Sequence, residues 1–181
     1  MAKPPKRIYW DSCCWIALIQ KEKIYAADGV TVVEDREALC KVVIEAAKSG
    51  AIEIVTSMLT LAEVCRAPDG QADALESFFE NDYILLVNMD KFVGERARAL
   101  MNGGYAGLKP PDATHIATAL TVAGVEELHS FDGPVLDLNG LINKDNGEPL
   151  KICKPNPGAP PAPLLDPLQN DGQNAPQNQA G

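Results

Sequence analysis

Short β-prone runs alternate with helix-like segments along most of this chain, and this alternation constrains the fold more than any other feature. The strand-like runs are Arg7–Trp10, Ile52–Val55, Tyr83–Val87, Glu127–Phe131 and the shorter Leu150–Cys153. Strands separated by helices are joined by right-handed crossovers into a parallel sheet. The pattern therefore predicts an α/β fold, in which a central parallel sheet of four to five strands lies between two layers of helices.

Apolar spacing and capping residues predict the helices between these strands. Pro110 and Pro111 suit the first turn of one of them. Ser12 is the predicted N-cap of the first, with Asp11 as the alternative. The predicted helices are Ser12 to Gln20, Thr31 to Lys48, Ser57 to the residues before Pro68, Gln71–Glu80, Lys91–Met101 and Pro110 to Val122.

Composition indicates one globular domain and a distinct tail. Apolar residues make up 46% of the 181 residues, which is enough for one buried core. From Lys154 onwards the chain holds seven Pro, four Gln and four Asn, and three Leu are its only large apolar side chains. Such a segment buries too little surface to offset its ordering entropy. We therefore predict a folded domain over residues 1–153 and a disordered tail over residues 154–181.

The sequence shows no sign of export or of a membrane span. The basic N-terminus is not followed by an apolar signal region, and the longest apolar run, Cys13–Ile19, is far shorter than a bilayer-spanning helix. The chain has an odd number of cysteines and no C-x-x-C pair. The cysteines are Cys13, Cys14, Cys40, Cys65 and Cys153. We expect a cytoplasmic protein with reduced thiols.

Three aspartates lie where strands end or where the next helix begins. Asp11 follows the first strand, Asp132 closes the fourth, and Asp112 opens the helix before the fourth. Ligands of open parallel sheets bind beyond the carboxyl ends of the strands. Each aspartate also has a structural explanation, since Asp11 and Asp112 can cap helices and Asp132 can form a turn.

Glu63 is the fourth candidate, because it lies in an otherwise apolar segment where a carboxylate needs compensation. An ion pair with Arg66 is its structural alternative. Four clustered carboxylates repel one another unless a cation joins them, and oxygen ligands favour Mg²⁺ or Mn²⁺. A net charge of −9 argues against a protein that coats nucleic acid, but metal ions allow an acidic enzyme to hold a polyanion.

Four segments resemble the PIN-domain ribonucleases, especially the VapC-like toxins of toxin–antitoxin pairs. They occur in the family's order from about Arg7 to Asp132. The segments are Ile8-Tyr9-Trp10-Asp11-Ser12, Leu61-Ala62-Glu63-Val64-Cys65-Arg66, Pro111-Asp112-Ala113-Thr114-His115-Ile116-Ala117-Thr118-Ala119-Leu120 and Leu128-His129-Ser130-Phe131-Asp132.

The resemblance implies a PIN-like fold and a Mg²⁺- or Mn²⁺-dependent endoribonuclease that leaves 5′-phosphate and 3′-hydroxyl ends. It implies a catalytic and metal-binding set of four acids, with three supporting residues near it. The acids are Asp11, Glu63, Asp112 and Asp132, and the supporting residues are Ser12, Ser130 and Arg66. It further implies an RNA substrate, an antitoxin partner and a homodimer.

Other functions remain open at the level of sequence. One alternative is a PIN-fold RNA-processing factor, and another is a non-catalytic module that binds RNA or protein. An aspartyl phosphotransferase also places an Asp after its first strand, but Asp11-Ser12-Cys13 lacks the second Asp of one large phosphatase family. His115 follows Asp112 by one helical turn and could face the same site, but a packed helix histidine is the favoured interpretation.

Overall fold

A computed structural model describes residues 4–64 and 78–157 of the chain. The strands are β1 (Lys6–Trp10), β2 (Lys23–Tyr25), β3 (Val32–Asp35), β4 (Ile52–Ser57), β5 (Ile84–Val87), β6 (Val125–His129) and β7 (Lys151–Cys153). The helices within these residues are α1 (Ser12–Ile19), α2 (Arg36–Lys48), α3 (Leu59–Glu63), α4 (Lys91–Asn102), α5 (Pro110–Thr121) and α6 (Gly133–Leu136).

The central sheet has the strand order β5-β4-β1-β6-β7, and all four neighbouring pairs are parallel. Helices cover both faces, and the alternation of side chains along β1 shows how. Tyr9 joins the core cluster beneath α4 and α5, whereas Ile8 and Trp10 join the cluster beneath α1 and α2. The predicted three-layer α/β class with a parallel sheet is confirmed.

The sequence-based boundaries are wrong in two places. Val32–Asp35 forms a strand paired antiparallel with β2, where a helix from Thr31 is predicted. The two β-branched valines favour this extended conformation. The helix begins only after Asp35, whose carboxylate accepts a hydrogen bond from the Ala38 N–H. Similarly, β4 continues through Ser57, two residues beyond the predicted end at Val55. The Ser57 hydroxyl still accepts a hydrogen bond from the N–H of Leu59, the first residue of the next helix.

Two predictions fall on parts of the chain that the structure does not describe. Most of the predicted helix Gln71–Glu80 lies outside the described residues. The predicted tail over 154–181 is described only as far as Pro157. Within the described ranges, no helix has the length and apolar character needed to cross a membrane.

A buried carboxylate stabilises the sheet between β1 and β7. The Glu127 side chain is 1% exposed and forms ion pairs with Lys6 and Lys151. Burial alone raises the pKa of Glu127, but hydrogen bonds from His129, Lys151 and Lys6 outweigh it and hold the pKa well below its usual range. The ionised form of this carboxylate therefore favours the folded state.

Replacing Glu127 with Gln is expected to lower the free energy of unfolding by about 2–4 kcal/mol, because the variant removes one partner of a buried ionic cluster. Urea denaturation at pH 7 measures the change. Glu126→Gln is the matched control, since Glu126 is exposed on the same strand. An equal loss of stability in both variants would contradict the assignment.

Candidate active site

The sheet order brings together the ends of β1, β4 and β6. Because β1 lies between the other two strands and runs parallel to both, their carboxyl ends meet at one edge. Asp11 follows β1 directly, and its backbone N–H donates to the His129 carbonyl at the end of β6, 3.3 Å away. Ser130 follows β6. The candidate acids are positioned around this edge.

Asp11 is the N-cap of α1, and the predicted cap Ser12 is instead the first residue of the helix. The Asp11 Oδ1 atom accepts hydrogen bonds from the backbone N–H groups of Cys13, at 3.1 Å, and Cys14, at 3.3 Å. The Cys13 thiol lies 2.8 Å from the same oxygen. Burial nevertheless raises the pKa of Asp11, although hydrogen bonds from Cys13 and Ser130 oppose the shift. An ionised Asp11 is therefore costly in the protein alone.

Asp112 lies in the first turn of α5 and accepts a hydrogen bond from the Lys109 backbone N–H at 3.2 Å. This is the predicted capping role. Burial raises the pKa of Asp112, and the neighbouring charges of Asp132 and Asp11 raise it further. Asp132 and Asp11 are therefore close enough to Asp112 to repel its charge, which the capping role does not require.

Asp132 is the N-cap of α6, where its Oδ1 accepts from the Val135 N–H at 3.4 Å. Its own N–H donates to the Ser130 hydroxyl oxygen at 2.9 Å. The Ser130 hydroxyl in turn lies close enough to the Asp11 carboxyl to lower its pKa. Ser130 therefore links Asp132 to Asp11.

Glu63, the last residue of α3, joins the site through Ser12 and His115. The Ser12 hydroxyl donates to Glu63 Oε2, and His115 Nε2 lies 2.8 Å from the same oxygen. The hydrogen bond from His115 and the one from Ser12 hold the pKa of Glu63 below its ordinary value, against the opposing effect of burial. The supporting residue Arg66 lies outside the described residues.

His115 combines the two roles that the sequence allows. Its side chain is buried, with Nδ1 against the core residue Tyr9, while Nε2 contacts Glu63 and Ser12 at the site. The spacing in the sequence is the reason for the second role, because residues three apart on a helix share a face and Asp112 precedes His115 by three. Asp112 and His115 thus project from the same side of α5.

A second group of metal-ligating residue types is formed by Glu127, His129 and Cys153 and contains none of the four acids. Two lysines already neutralise Glu127. The Trp10 indole N–H donates to His129 Nδ1 at 3.1 Å, so in the neutral ring the other nitrogen carries the proton. Metal-binding histidines normally donate a proton from their second nitrogen instead. This group is better explained as part of the core.

Comparisons with known proteins agree with the fold. The PIN domain family model matches residues 8–133, a range that contains all four acids. One similar structure is the Mycobacterium tuberculosis toxin VapC20, described as cleaving the sarcin–ricin loop. It is 20% identical with a TM-score of 0.51, and the match covers 71% of this chain and 92% of VapC20.

A second similar structure is a toxin–antitoxin complex from Klebsiella pneumoniae. It is 20% identical with a TM-score of 0.45, and the match covers 69% of this chain and 86% of that one. No curated protein matches this chain in sequence. At these identities, the likeness to VapC20 supports the fold and leaves the activity to be argued from the site.

Proposed function

Because this chain belongs to the PIN domain family, we propose that it is a divalent-metal-dependent endoribonuclease that hydrolyses phosphodiester bonds in RNA. The observation that carries the proposal is that Asp112 lies close enough to Asp132 and Asp11 for both of their charges to raise its pKa. Asp112 and Asp132 lie 20 residues apart along the chain, and Asp11 is about a hundred residues from both. In residues 4–64 and 78–157, none of the three forms an ion pair with Lys or Arg.

The donor set fits Mg²⁺ or Mn²⁺. Carboxylate oxygens are the ligands these hard cations prefer, and Mg²⁺ commonly uses a few of them together with water and substrate phosphate. A cation at this edge would relieve the repulsion that raises the pKa of Asp112. In this proposal Asp11 and Asp112 hold the principal ion, while Glu63 and Asp132 complete the site.

The chain's own residues then position the reaction. A bound divalent cation supplies charge stabilisation for the phosphodiester and activation of the attacking water. Asp132 and Glu63 orient that water by accepting its hydrogen bonds, and Ser12 and Ser130 hold Glu63 and Asp11 in place. Arg66 is proposed to contact either the RNA or a neighbouring acid.

The biological setting is a further part of the proposal. The similar structures include a toxin and a toxin–antitoxin complex. We propose that this chain is likewise a cytoplasmic toxin that forms a homodimer and is held inactive by an antitoxin. The motif resemblance supports this setting.

The proposal is tested by incubating the purified chain with a mixed RNA pool and Mn²⁺ or Mg²⁺. We expect internal cleavage that EDTA abolishes, with products that carry 5′-phosphate ends. Ligation of adapters that require a 5′-phosphate identifies those ends. Cleavage that persists in EDTA, or no cleavage of any RNA by a folded chain that binds Mn²⁺, would overturn the proposed activity.

A further inference from the structure

We propose that His115 is a positioning residue that holds Glu63 in the geometry required for metal binding, and that Tyr9 holds His115. This inference rests on the proposed function and adds two residues to its site. The contacts run from Tyr9 on the central strand, through the His115 imidazole on α5, to the Glu63 carboxylate at the end of α3.

The first step is the contact between His115 and Glu63. His115 is 4% exposed, so water competes little for its ring nitrogens. Its Nε2 lies 2.8 Å from Glu63 Oε2 and 2.9 Å from the Ser12 hydroxyl oxygen. A hydrogen bond to a carboxylate in such a site is short and strong, because the acceptor is charged. The imidazole is therefore suited to fix one carboxylate oxygen of Glu63.

The second step is the protonation pattern that Tyr9 imposes on the ring. The Tyr9 hydroxyl oxygen accepts a hydrogen bond from the Ser57 N–H at 3.2 Å, and it lies 2.7 Å from His115 Nδ1. When the phenol donates to Nδ1, the neutral ring carries its proton on Nε2 and directs it at Glu63. Tyr9 thus selects the tautomer that can donate to the carboxylate.

The third step is the need for such support. Glu63 ends a helix of only five residues, and its side chain is 28% exposed. Short helices are weakly stabilised by their own hydrogen bonds, so tertiary contacts must position a side chain at such an end. His115 supplies one from the longer helix α5, which has 12 residues and also carries Asp112. The same helix then places one acid of the site directly and another through His115.

The test is a double-mutant cycle on Mn²⁺ affinity, measured by calorimetric titration of the metal-free chain. His115→Leu removes the donor, His115→Gln restores one near the position of Nε2, and Glu63→Ala removes the group that His115 is proposed to hold. We expect His115→Leu to weaken Mn²⁺ binding about 10- to 100-fold, as loss of a residue that orients a metal ligand does. His115→Gln should recover most of that loss.

The cycle separates positioning from general damage to the fold. If His115 acts through Glu63, His115→Leu should change the Mn²⁺ affinity less than about twofold in the Glu63→Ala background. Tyr9→Phe, which removes only one hydroxyl, should weaken binding in the same direction, so the proposal stays testable if His115→Leu does not fold. Thr121→Ala is the control, since Thr121 lies at the exposed end of α5.

The outcomes distinguish this inference from the function on which it rests. If the unaltered chain neither binds Mn²⁺ nor cleaves RNA, the proposed function fails and the inference fails with it. If the unaltered chain binds and cleaves, but a folded His115→Leu variant keeps its Mn²⁺ affinity, the inference alone is overturned. Effects of His115→Leu and Glu63→Ala that multiply in the double variant would overturn it as well.

Discussion

Replacing Asp11 with Asn is expected to lower the rate of RNA cleavage about a thousandfold or more while leaving the fold intact. Asp11 lies directly after the central strand, and Ser130 connects it to Asp132. Loss of its charge removes a proposed ligand of the principal cation. Charge stabilisation by such an ion contributes several kcal/mol to the transition state, and each 1.4 kcal/mol corresponds to a factor of ten in rate.

Asn is the informative replacement because it keeps the structural role of Asp11. Its side-chain oxygen can still accept the N–H groups of Cys13 and Cys14, and Asn is as good an N-cap as Asp. The lost charge is one whose pKa burial raises, so its removal does not destabilise the metal-free protein. Asp11→Ala, in contrast, also removes the cap, which costs about 1 kcal/mol.

The matched control for this variant is Asp90→Asn. Asp90 is the N-cap of α4, where its carboxylate accepts from the Val93 N–H at 3.0 Å, so the chemical change is the same at a helix outside the site. Single-turnover cleavage in saturating Mn²⁺ measures both variants, and circular dichroism checks their folding. Cleavage by Asp11→Asn at the unaltered rate, or an equal loss in Asp90→Asn, would show that Asp11 is not a catalytic ligand.

The central sheet and the location of its acids could be predicted because both depend on local patterns. Burial on two faces favours apolar and β-branched residues in parallel strands, and the helices between the strands carry capping residues. Once the strands are known, the carboxyl edge follows from parallel topology alone, which places Asp11 and Asp132 near each other. These inferences need no knowledge of which side chains contact one another.

Residue type alone could not show whether each aspartate serves as a helix cap or as a metal ligand. Asp11 and Asp132 are N-caps, and Asp112 accepts a hydrogen bond from the chain entering its helix, as the structural alternatives predict. The structure adds that the capped helix ends point to a common place, since the charges of these acids raise the pKa of Asp112. A helix N-terminus favours negative charge, so one aspartate can serve both roles.

The support of Glu63 was beyond prediction for a different reason. His115 lies 52 residues from Glu63 in the chain, and their contact depends on how α3 and α5 are placed over the sheet. Tyr9 and Ser57 come from two further elements, β1 and β4. The residue pattern within one segment cannot predict a contact that depends on the placement of four segments. The β2–β3 pair is a simpler case, because the periodicity of a short apolar run alone does not distinguish a strand from a helix.

Mn²⁺ is expected to stabilise the protein against heat, and to do so more at pH 7.5 than at pH 5. Ligand at a hundredfold excess over its dissociation constant adds about 2.7 kcal/mol. For a domain of this size that raises the melting temperature by roughly 5–10 °C. The increase depends on pH because the cation binds ionised carboxylates and competes with protons for them.

The direction of the pH dependence follows from the two raised pKa values. Burial raises the pKa of Asp11 and of Asp112, so both bind protons more tightly in the folded protein than in the unfolded chain, where Asp titrates near pH ~3.9. Without metal, their contribution to stability is therefore present at low pH and lost as the pH rises above that value. Metal binding offsets this loss, so the stabilisation of the folded protein by Mn²⁺ increases as the pH rises. The hydrogen bond from His115 lowers the pKa of Glu63, so the contribution of Glu63 to stability has the opposite sign and is not lost as the pH rises.

Differential scanning calorimetry with and without Mn²⁺, at pH 5 and pH 7.5, measures the effect. Asp11→Asn should lose most of the increase at pH 7.5, because it lacks one of the two carboxylates that hold the ion. Asp90→Asn should keep the increase, since its carboxylate caps α4 away from the site. An increase of equal size at both pH values, or one that survives Asp11→Asn, would place the cation elsewhere on this acidic protein and remove the support that these carboxylates give to the proposed nuclease.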